Sequence, residues 1–424
     1  MRNTYQSQAR KSRTFEVVGG RELALRLPLP LVEVWEELQA HVEQLAGEAG
    51  LKILRALLED EVTQKVGPPY RPAPASGTFR WGRQPGYVVF GGQKVALQRP
   101  RVRTREGKEV ELDSYRRLQQ DGRMQRAVAE RVVCGLSTRK YRRAVESVLD
   151  GYGIHKSSVS RHFVRATAQQ LRELCERRLE KLNLVALLID GIEFAGQTLI
   201  IALGVEESGT KHVLGLWQGA TENATVCKAL LEDLVGRGLN LERRYLFVLD
   251  GSKALRAAVE KMFGERAEVQ RCQLHKRRNV KDHLPEACRA DYDRQLRNAY
   301  AMTSYAEAKA ALQRLWRQLC EINPSAARSL EEGMEETLTL HRLGVGPLLR
   351  RSLATTNIIE SCLSTVRHVA RNVKRWQGGD HIARWTAAGL LEAEKKFRKV
   401  KGYRELKELA GKLNPHSTPQ QQVA

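Results

Sequence analysis

Two apolar runs, Leu184-Val185-Ala186-Leu187-Leu188-Ile189-Asp190 and Tyr245-Leu246-Phe247-Val248-Leu249-Asp250, each end in an aspartate followed by glycine. Runs this short and this apolar read as strands buried on both faces. A carboxylate closing such a strand does nothing for packing. Taken singly, either aspartate reads as a turn starter. If the strands are neighbours, both acids stand at one edge of one sheet, where they repel unless a cation lies between them.

The surrounding segments supply the rest of a sheet. Thr198 to Val205 and His212 to Trp217 read as strands separated by a turn at Glu206 to Gly209, so the first three strands should form an antiparallel meander. Ala224 to Val235 is an amphipathic helix closed by Gly236 and Gly238. Ser252 to Phe263 is a helix with Gly264 as its C-cap, and Glu268 to Cys272 is a short strand. The order βββαβαβ is the ribonuclease H-like pattern, an α/β fold with helices packed on a mixed sheet. Leu284 to Leu349 breaks that rhythm with helical periodicity throughout, Ser304-x-x-Glu307 opening one helix like a capping box, and reads as an all-helical insertion. Thr356 to Lys374 is the next long helix, ended by Gln377-Gly378-Gly379-Asp380, and another runs to about Arg398.

Upstream, residues 1–25 read as a polar leader, and Leu31 to Ala46 and Leu51 to Val66 have helical apolar spacing. Gly67-Pro68-Pro69 and Pro72 to Gly77 read as a linker. Tyr87 to Phe90, Gly91-Gly92 and Lys94 to Leu97 read as strand, turn and strand, with a third and fourth short strand flanking Glu106-Gly107. Gln98 to Arg103 would line a strand with arginines, either a solvated basic edge or a DNA contact. Ser137 to Leu149, Asp150 to Gly153 and His155 to Leu174 fit a helix-turn-helix or a plain helical hairpin. In the first reading Val145, Val148, Leu149, Val159 and Phe163 face inward, and Lys156, Ser157, Ser158, Ser160 and Arg161 meet DNA. The expected divisions are 1–80, helical region and linker; 81–118, β-element; 119–180, DNA-binding region; 181–283, first part of the core; 284–350, insertion; 351–400, C-terminal core helices; and 401–424, a tail, disordered from 413 onward.

Charge narrows the partner. The chain of 424 residues carries a net +22. Residues 181–250 are the exception at about −3, while 1–180 carry about +12, 251–350 about +5 and 351–424 about +8. Basic arms around an acidic core suit an enzyme that grips phosphates and holds metal ions. Seven scattered cysteines do not make a secreted disulfide framework, which favours a cytoplasmic setting. No run of 18 apolar residues suggests a membrane span.

The third acid should come from a helix after the sheet. Glu360, in Thr355-Thr356-Asn357-Ile358-Ile359-Glu360, is the candidate, with Arg367, Arg371 and Lys374 spaced to share its helical face. An ordinary salt-bridged face is the alternative. Asp190, Asp250 and Glu360 would hold Mg²⁺ or Mn²⁺, two ions in the usual in-line displacement of a phosphate. Glu193 is a possible auxiliary acid. Cys272 and His275 form a Cys-x2-His turn that would sit beside the site, with His275 touching the scissile phosphate or a leaving oxygen. A zinc set with His283 and Cys288, or a plain buried cysteine with a surface histidine, are the other readings.

The runs Leu188-Ile189-Asp190-Gly191, Val248-Leu249-Asp250-Gly251, Val269-Gln270-Arg271-Cys272-Gln273-Leu274-His275-Lys276-x-Arg278-Asn279 and Thr355-Thr356-Asn357-x-Ile359-Glu360 stand in order. The chain thereby resembles the Mutator-type transposases of bacterial insertion sequences over roughly residues 120–400. The resemblance implies an Asp-Asp-Glu centre of Asp190, Asp250 and Glu360 on a ribonuclease H-like core, a helical insertion before the Glu, and Cys272 and His275 as the family's Cys-x2-His motif. Gly191-Ile192-Glu193 and Thr221-Glu222-Asn223-Ala224 stand where many members carry an aromatic residue and a Glu-Ser-Ala-type motif. The expected partners are terminal inverted repeats, target DNA and a second copy of the chain, in the bacterial nucleoid.

Overall fold

The computed structural model describes residues 29–71, 77–90, 93–119, 122–138, 141, 156–219, 221 and 223–415. It is a mixed α/β protein in two compact units, Met1–Val128 with Leu136–His162, and Ala129–Gly135 with Phe163–Ala424.

In the first unit, helix α1 (Leu29–Val66) precedes strands β1 (Thr78–Phe90), β2 (Gln93–Thr104) and β3 (Glu109–Val110) and helix α2 (Asp113–Leu118). The two predicted N-terminal helices are one. Gly50 does not break α1, because the sheet approaches closely there: a Cβ on Gly50 would stand 2.7 Å from the Phe90 ring. Leu58, Val62, Val88, Val95 and Leu97 form the core beneath it. The β-element has three strands rather than four, since β2 runs unbroken to Thr104, and the arginine-bearing β2 is the central strand rather than an edge. The first helix and the turn of the predicted helix-turn-helix, residues 142–155, lie outside the described residues, as does the Gly91-Gly92 turn.

Helix α3 (Gly122–Val133) and helix α4 (Lys156–Cys175) bring residues into both units. The second unit is built on β4 (Leu184–Phe194), β5 (Gln197–Glu206), β6 (Lys211–Gly219), helix α5 (Ala224–Gly236), β7 (Tyr245–Leu249), helix α6 (Lys253–Phe263) and β8 (Ala267–Arg271). The sheet order is β6-β5-β4-β7-β8, with β4, β5 and β6 an antiparallel meander and β7 and β8 parallel to β4. One prediction needs correcting. Asp190 does not end its strand, because β4 continues in register with β5 to the Phe194↔Gln197 pair and turns through Ala195 and Gly196, both at positive φ. The ladder with β7, however, stops at Leu188↔Val248, so Asp190 lies just past the end of the parallel pairing.

An all-helical stretch follows: α7 (Gln273–Asp282), α8 (Glu286–Ala301), α9 (Tyr305–Ile322), α10 (Pro324–Glu331), α11 (Met334–Thr337), α12 (Thr339–Arg342) and α13 (Pro347–Leu353). It has its own core of Val280, Leu296, Leu312, Leu319 and Leu330. Ser304 caps α9, accepting from the Glu307 N–H. The segment also covers the edge strand β8: Thr339 donates to the Val269 carbonyl at 2.6 Å, and the buried Gln270 amide spans Thr337 and Leu340. Edge strands left open invite wrong pairing, and this cover prevents it.

Helices α14 (Asn357–Ala370), α15 (Gly378–Glu394) and α16 (Leu406–Leu413) complete the unit. α16 replaces the start of the predicted tail. Its Leu406, Leu409, Ala410 and Leu413 recur at helical spacing and join the main core. Side chains alternate along β4, so the sheet is covered on both faces. Leu187 and Ile189 pack with α5 and α6, while Leu188 and Ile192 pack with α14 and α15.

Candidate active site

The parity of β4 decides where its acid goes. Asp190 shares the side of Leu188 and Ile192, the face on which α14 lays Ile359, Cys362, Leu363 and Val366. The register decides what it faces. The β4–β7 pairing runs Ala186↔Leu246, Leu187↔Phe247 and Leu188↔Val248, and Asp190 and Asp250 each follow the last pair by two residues. Parallel neighbours run about 4.8 Å apart. β7 ends at Leu249, and Gly251, at φ 120°, lets the chain turn away; a Cβ there would lie 2.8 Å from Arg271 Nε.

Each aspartate is oriented by its own turn. The Gly191 N–H donates to Asp190 Oδ1 at 2.8 Å, and the Ser252 N–H donates to Asp250 Oδ1 at 2.8 Å. Glu360 arrives in the first turn of α14 and accepts the Thr356 hydroxyl at 2.6 Å. His275 Nε2 lies 3.9 Å from the same Glu360 oxygen. Burial, first, pushes the Asp190 carboxyl up to about 7; the Gly191 N–H and His275 oppose the rise, and the carboxylates of Asp250 and Glu360 add to it. All three acids and His275 therefore share one electrostatic neighbourhood. Among the described residues no Lys or Arg forms an ion pair with Asp190, Asp250 or Glu360. Nor, among them, do three His, Cys, Asp or Glu side chains already close around a point as a metal shell, and that includes the Cys272, His275, His283, Cys288 set.

A buried junction holds Glu360 and His275. Cys272 caps α7, its Sγ accepting from the His275 N–H at 3.5 Å and the Thr356 N–H at 3.4 Å. Thr356 Oγ1 also lies 3.3 Å from His275 Nδ1. A hydroxyl has one proton to give, and it stands in donor geometry to both Glu360 Oε1 at 2.6 Å and Cys272 Sγ at 3.4 Å, the contact to Glu360 being the shorter. Burial pushes the Cys272 thiol up, but hydrogen bonds from His275 and Thr356 outweigh it and hold the thiol low. The hydrogen bond with Cys272, above all, raises the His275 imidazole, and Glu360 and Asp250 add to the rise. Cys272 is fully buried, and its thiol contacts His275 and Thr356. Thr356 was not singled out from sequence as a functional residue, although the Thr-Thr-Asn run was visible.

The remaining predicted residues divide. Lys156, Ser157, Ser160 and Arg161 are exposed on α4 and Ser158 is half-buried, while Val159 and Phe163 are buried as expected. Arg367 is exposed on α14. That helix ends at Ala370, short of the predicted Lys374, so Arg371 is its C-cap and Lys374 lies beyond it. Arg371 keeps αR backbone angles at the cap, and Lys374 lies outside the helix. Arg371 donates to the His368 carbonyl at 2.6 Å, and the neighbouring Asn372 amide reaches the Gly135 carbonyl at 3.0 Å. Glu193 is exposed on β4, one side over from Asp190. A cavity of about 1040 Å³ between the end of α6 and α16 contains none of these groups.

Residues 32–399 match the family model described as Transposase, Mutator family. The chain is 27% identical over 366 residues to the transposase for insertion sequence element ISRM5 of Rhizobium meliloti (strain 1021), covering 84% of this chain and 89% of that protein. It is 26% identical over 375 residues to the transposase for IS406 of Burkholderia multivorans, covering 84% and 92%. It is 28% identical over 318 residues to the transposase for IS905 of Lactococcus lactis subsp. lactis, covering 73% and 76%.

Proposed function

The chain belongs to the Mutator family of transposases, and on that premise we propose that it binds the terminal inverted repeats of its element and cuts and joins DNA through Asp190, Asp250 and Glu360 on a ribonuclease H-like core. The observation that carries this reading is that Asp190 and Asp250 each follow the last β4–β7 pair by two residues, with Glu360 on the helix that packs on that sheet. These half-buried carboxylates gain nothing from packing and have no Lys or Arg partner among the described residues. That donor set fits a hard divalent cation, Mg²⁺ or Mn²⁺, which takes oxygen ligands. Asp190, Asp250 and Glu360 would hold the two ions. When bound, they would supply activation of the attacking oxygen and neutralisation of the charge that gathers on the phosphate.

The protein's own groups do the rest. Thr356 fixes one Glu360 oxygen and leaves the other free to bind. His275, whose imidazole Cys272 and the carboxylates push up, can donate to a phosphate oxygen or to the departing 3′ oxygen. Lys156, Ser157, Ser158, Ser160 and Arg161 of α4 contact the repeat, and Arg367, Arg371 and Lys374 contact the DNA backbone. Joining two element ends calls for two copies of the chain, and a homodimer supplies them. Among the described residues no helix is long and apolar enough to cross a membrane; the place of work is the nucleoid.

The test uses the full chain, labelled element ends and Mg²⁺. Asp190→Asn should retain end binding and lose cleavage and strand transfer by at least about a thousandfold. Robust cleavage by that variant would remove the assignment. Cleavage without joining by the wild type would make the protein a nuclease, and binding alone would make it a regulator.

A further inference from the structure

A cavity of about 520 Å³ opens between α7, the end of α8 and α13, lined by Arg277, Arg297, Arg350, Arg351, Tyr300 and Thr355. Four guanidinium groups on one concave wall repel one another. Asp293 offsets part of this, accepting from Arg277 at 2.8 Å and from Arg297 at 2.7 Å. Arg350 has no such relief. It is 5% exposed, bonds the Thr303 carbonyl at 3.2 Å, and pairs with no carboxylate among the described residues. Arg351, exposed beside it, forms no ion pair among those residues either. The buried Thr355 hydroxyl on the same wall has no hydrogen-bond partner among the described residues. A buried cation without a counter-charge is costly unless something supplies one. Guanidinium forks match the tetrahedral oxygens of phosphate, and a hydroxyl donor completes the set.

The cavity also has a meaningful neighbour. Its wall includes the seam where the Gln273 N–H donates to the Ala354 carbonyl at 2.9 Å. Beside that seam lie Cys272, one residue before Gln273, and Thr356, two residues after Ala354, whose thiol and hydroxyl are 3.4 Å apart and which hold His275 and Glu360. We propose that this cavity is a phosphate subsite filled by a backbone phosphate of the bound DNA, seating the duplex one wall away from the carboxylates. The phosphate chemistry follows from the cavity alone; its source in DNA rests on the reading under Proposed function.

The test has two arms on the full chain. In the first, thermal unfolding is followed with inorganic phosphate against chloride at equal ionic strength. Wild type should be stabilised saturably, and Arg351→Gln should need about tenfold more phosphate. Because Arg350 also holds the Thr303 carbonyl, Arg350→Lys is the companion variant, keeping the charge and losing the fork. In the second arm, single methylphosphonates are walked along an element-end duplex. One position should weaken wild-type binding about tenfold and cost nothing further in Arg351→Gln. No saturable phosphate effect, or equal effects in wild type and both variants, would overturn the subsite. A phosphate effect lost in the variants, without any coupled position on DNA, would keep the subsite and overturn its occupant. The first arm reads out even if the chain cuts no DNA.

Discussion

The two sheets treat charge in opposite ways. In the three-stranded sheet, Arg99 and Arg101 of β2 meet Glu109 of β3 at 3.0 and 2.7 Å, and the Arg103 guanidinium lies 4.7 Å from the Trp81 ring centre. In the five-stranded sheet, Asp190 and Asp250 each lie two residues past the last β4–β7 pair, with no basic ion-pair partner among the described residues. Charges answered by neighbours mark structure. Charges the fold leaves unanswered mark a place where something else must supply the counter-charge. The same difference recurs across the helical segment, where Asp293 answers Arg277 and, among the described residues, no acid answers Arg350.

The strongest way to break this contrast is Asp250→Asn. It should lower strand cleavage by at least about a thousandfold. The melting temperature without metal should hold or rise, because a charge that raises its neighbour's pKa has been removed. A drop in stability matching the loss of activity would mean that Asp250 is structural and the contrast false.

A buried histidine gives the next effect. His341 is held down to about 4, against an ordinary 6.5, first by burial and then by the Arg350 charge. The unfolded chain binds this proton below about 6.5, and the folded chain resists it until about 4. Stability contributed by a neutral His341 is therefore full above 6.5 and is lost as pH falls towards 4. The loss approaches about 3 kcal/mol when fully developed. Denaturant midpoints from pH 7 to 4 would show it, and His341→Phe should flatten that slope. An unchanged slope would show that acid sensitivity arises elsewhere.

Thr356 tests whether the junction matters as positioned chemistry. Thr356→Val keeps the shape and removes the hydroxyl shared by Glu360, Cys272 and His275. Cleavage and metal affinity should fall roughly 10- to 100-fold, as when a ligand loses its supporting hydrogen bond. Thr356→Ser should restore most of it. A Ser variant as poor as Val would point to packing rather than the hydroxyl.

The sequence reading succeeded where one local rule acts alone. Apolar runs ending in Asp190 and Asp250 announced buried strands, and Gly264, at φ 52°, fell after α6 as a cap should. It faltered where distant partners decide. Nothing local says that β4 should pass Asp190; the β5 ladder does. Lys374 fits a helical stripe on paper, but the helix stops at Ala370 with Arg371 as its cap. Thr356 was invisible as a site residue because Cys272 and His275, its partners, come more than eighty residues earlier in the chain. The apolar spacing of α16 is legible at Leu406, Leu409, Ala410 and Leu413, inside the segment whose composition reads as a tail.

The smallest expected effect closes the contrast from its paired side. Glu109 is held low chiefly by its hydrogen bond to Arg101, with the nearby arginines adding to it. The group is solvent-exposed, so water screens the attraction and ordering the long side chains offsets much of the gain. Glu109→Gln should therefore cost well under about 1 kcal/mol in denaturant unfolding and leave cleavage by the carboxylate centre unchanged. It should also free Arg99 and Arg101. If β2 touches DNA, the variant binds element ends more tightly at low salt, and the gain fades as salt is added. No gain at any salt would make the arginines of β2 purely structural, and the answered charges of the three-stranded sheet would then differ from the unanswered ones of the five-stranded sheet in function as well as in geometry.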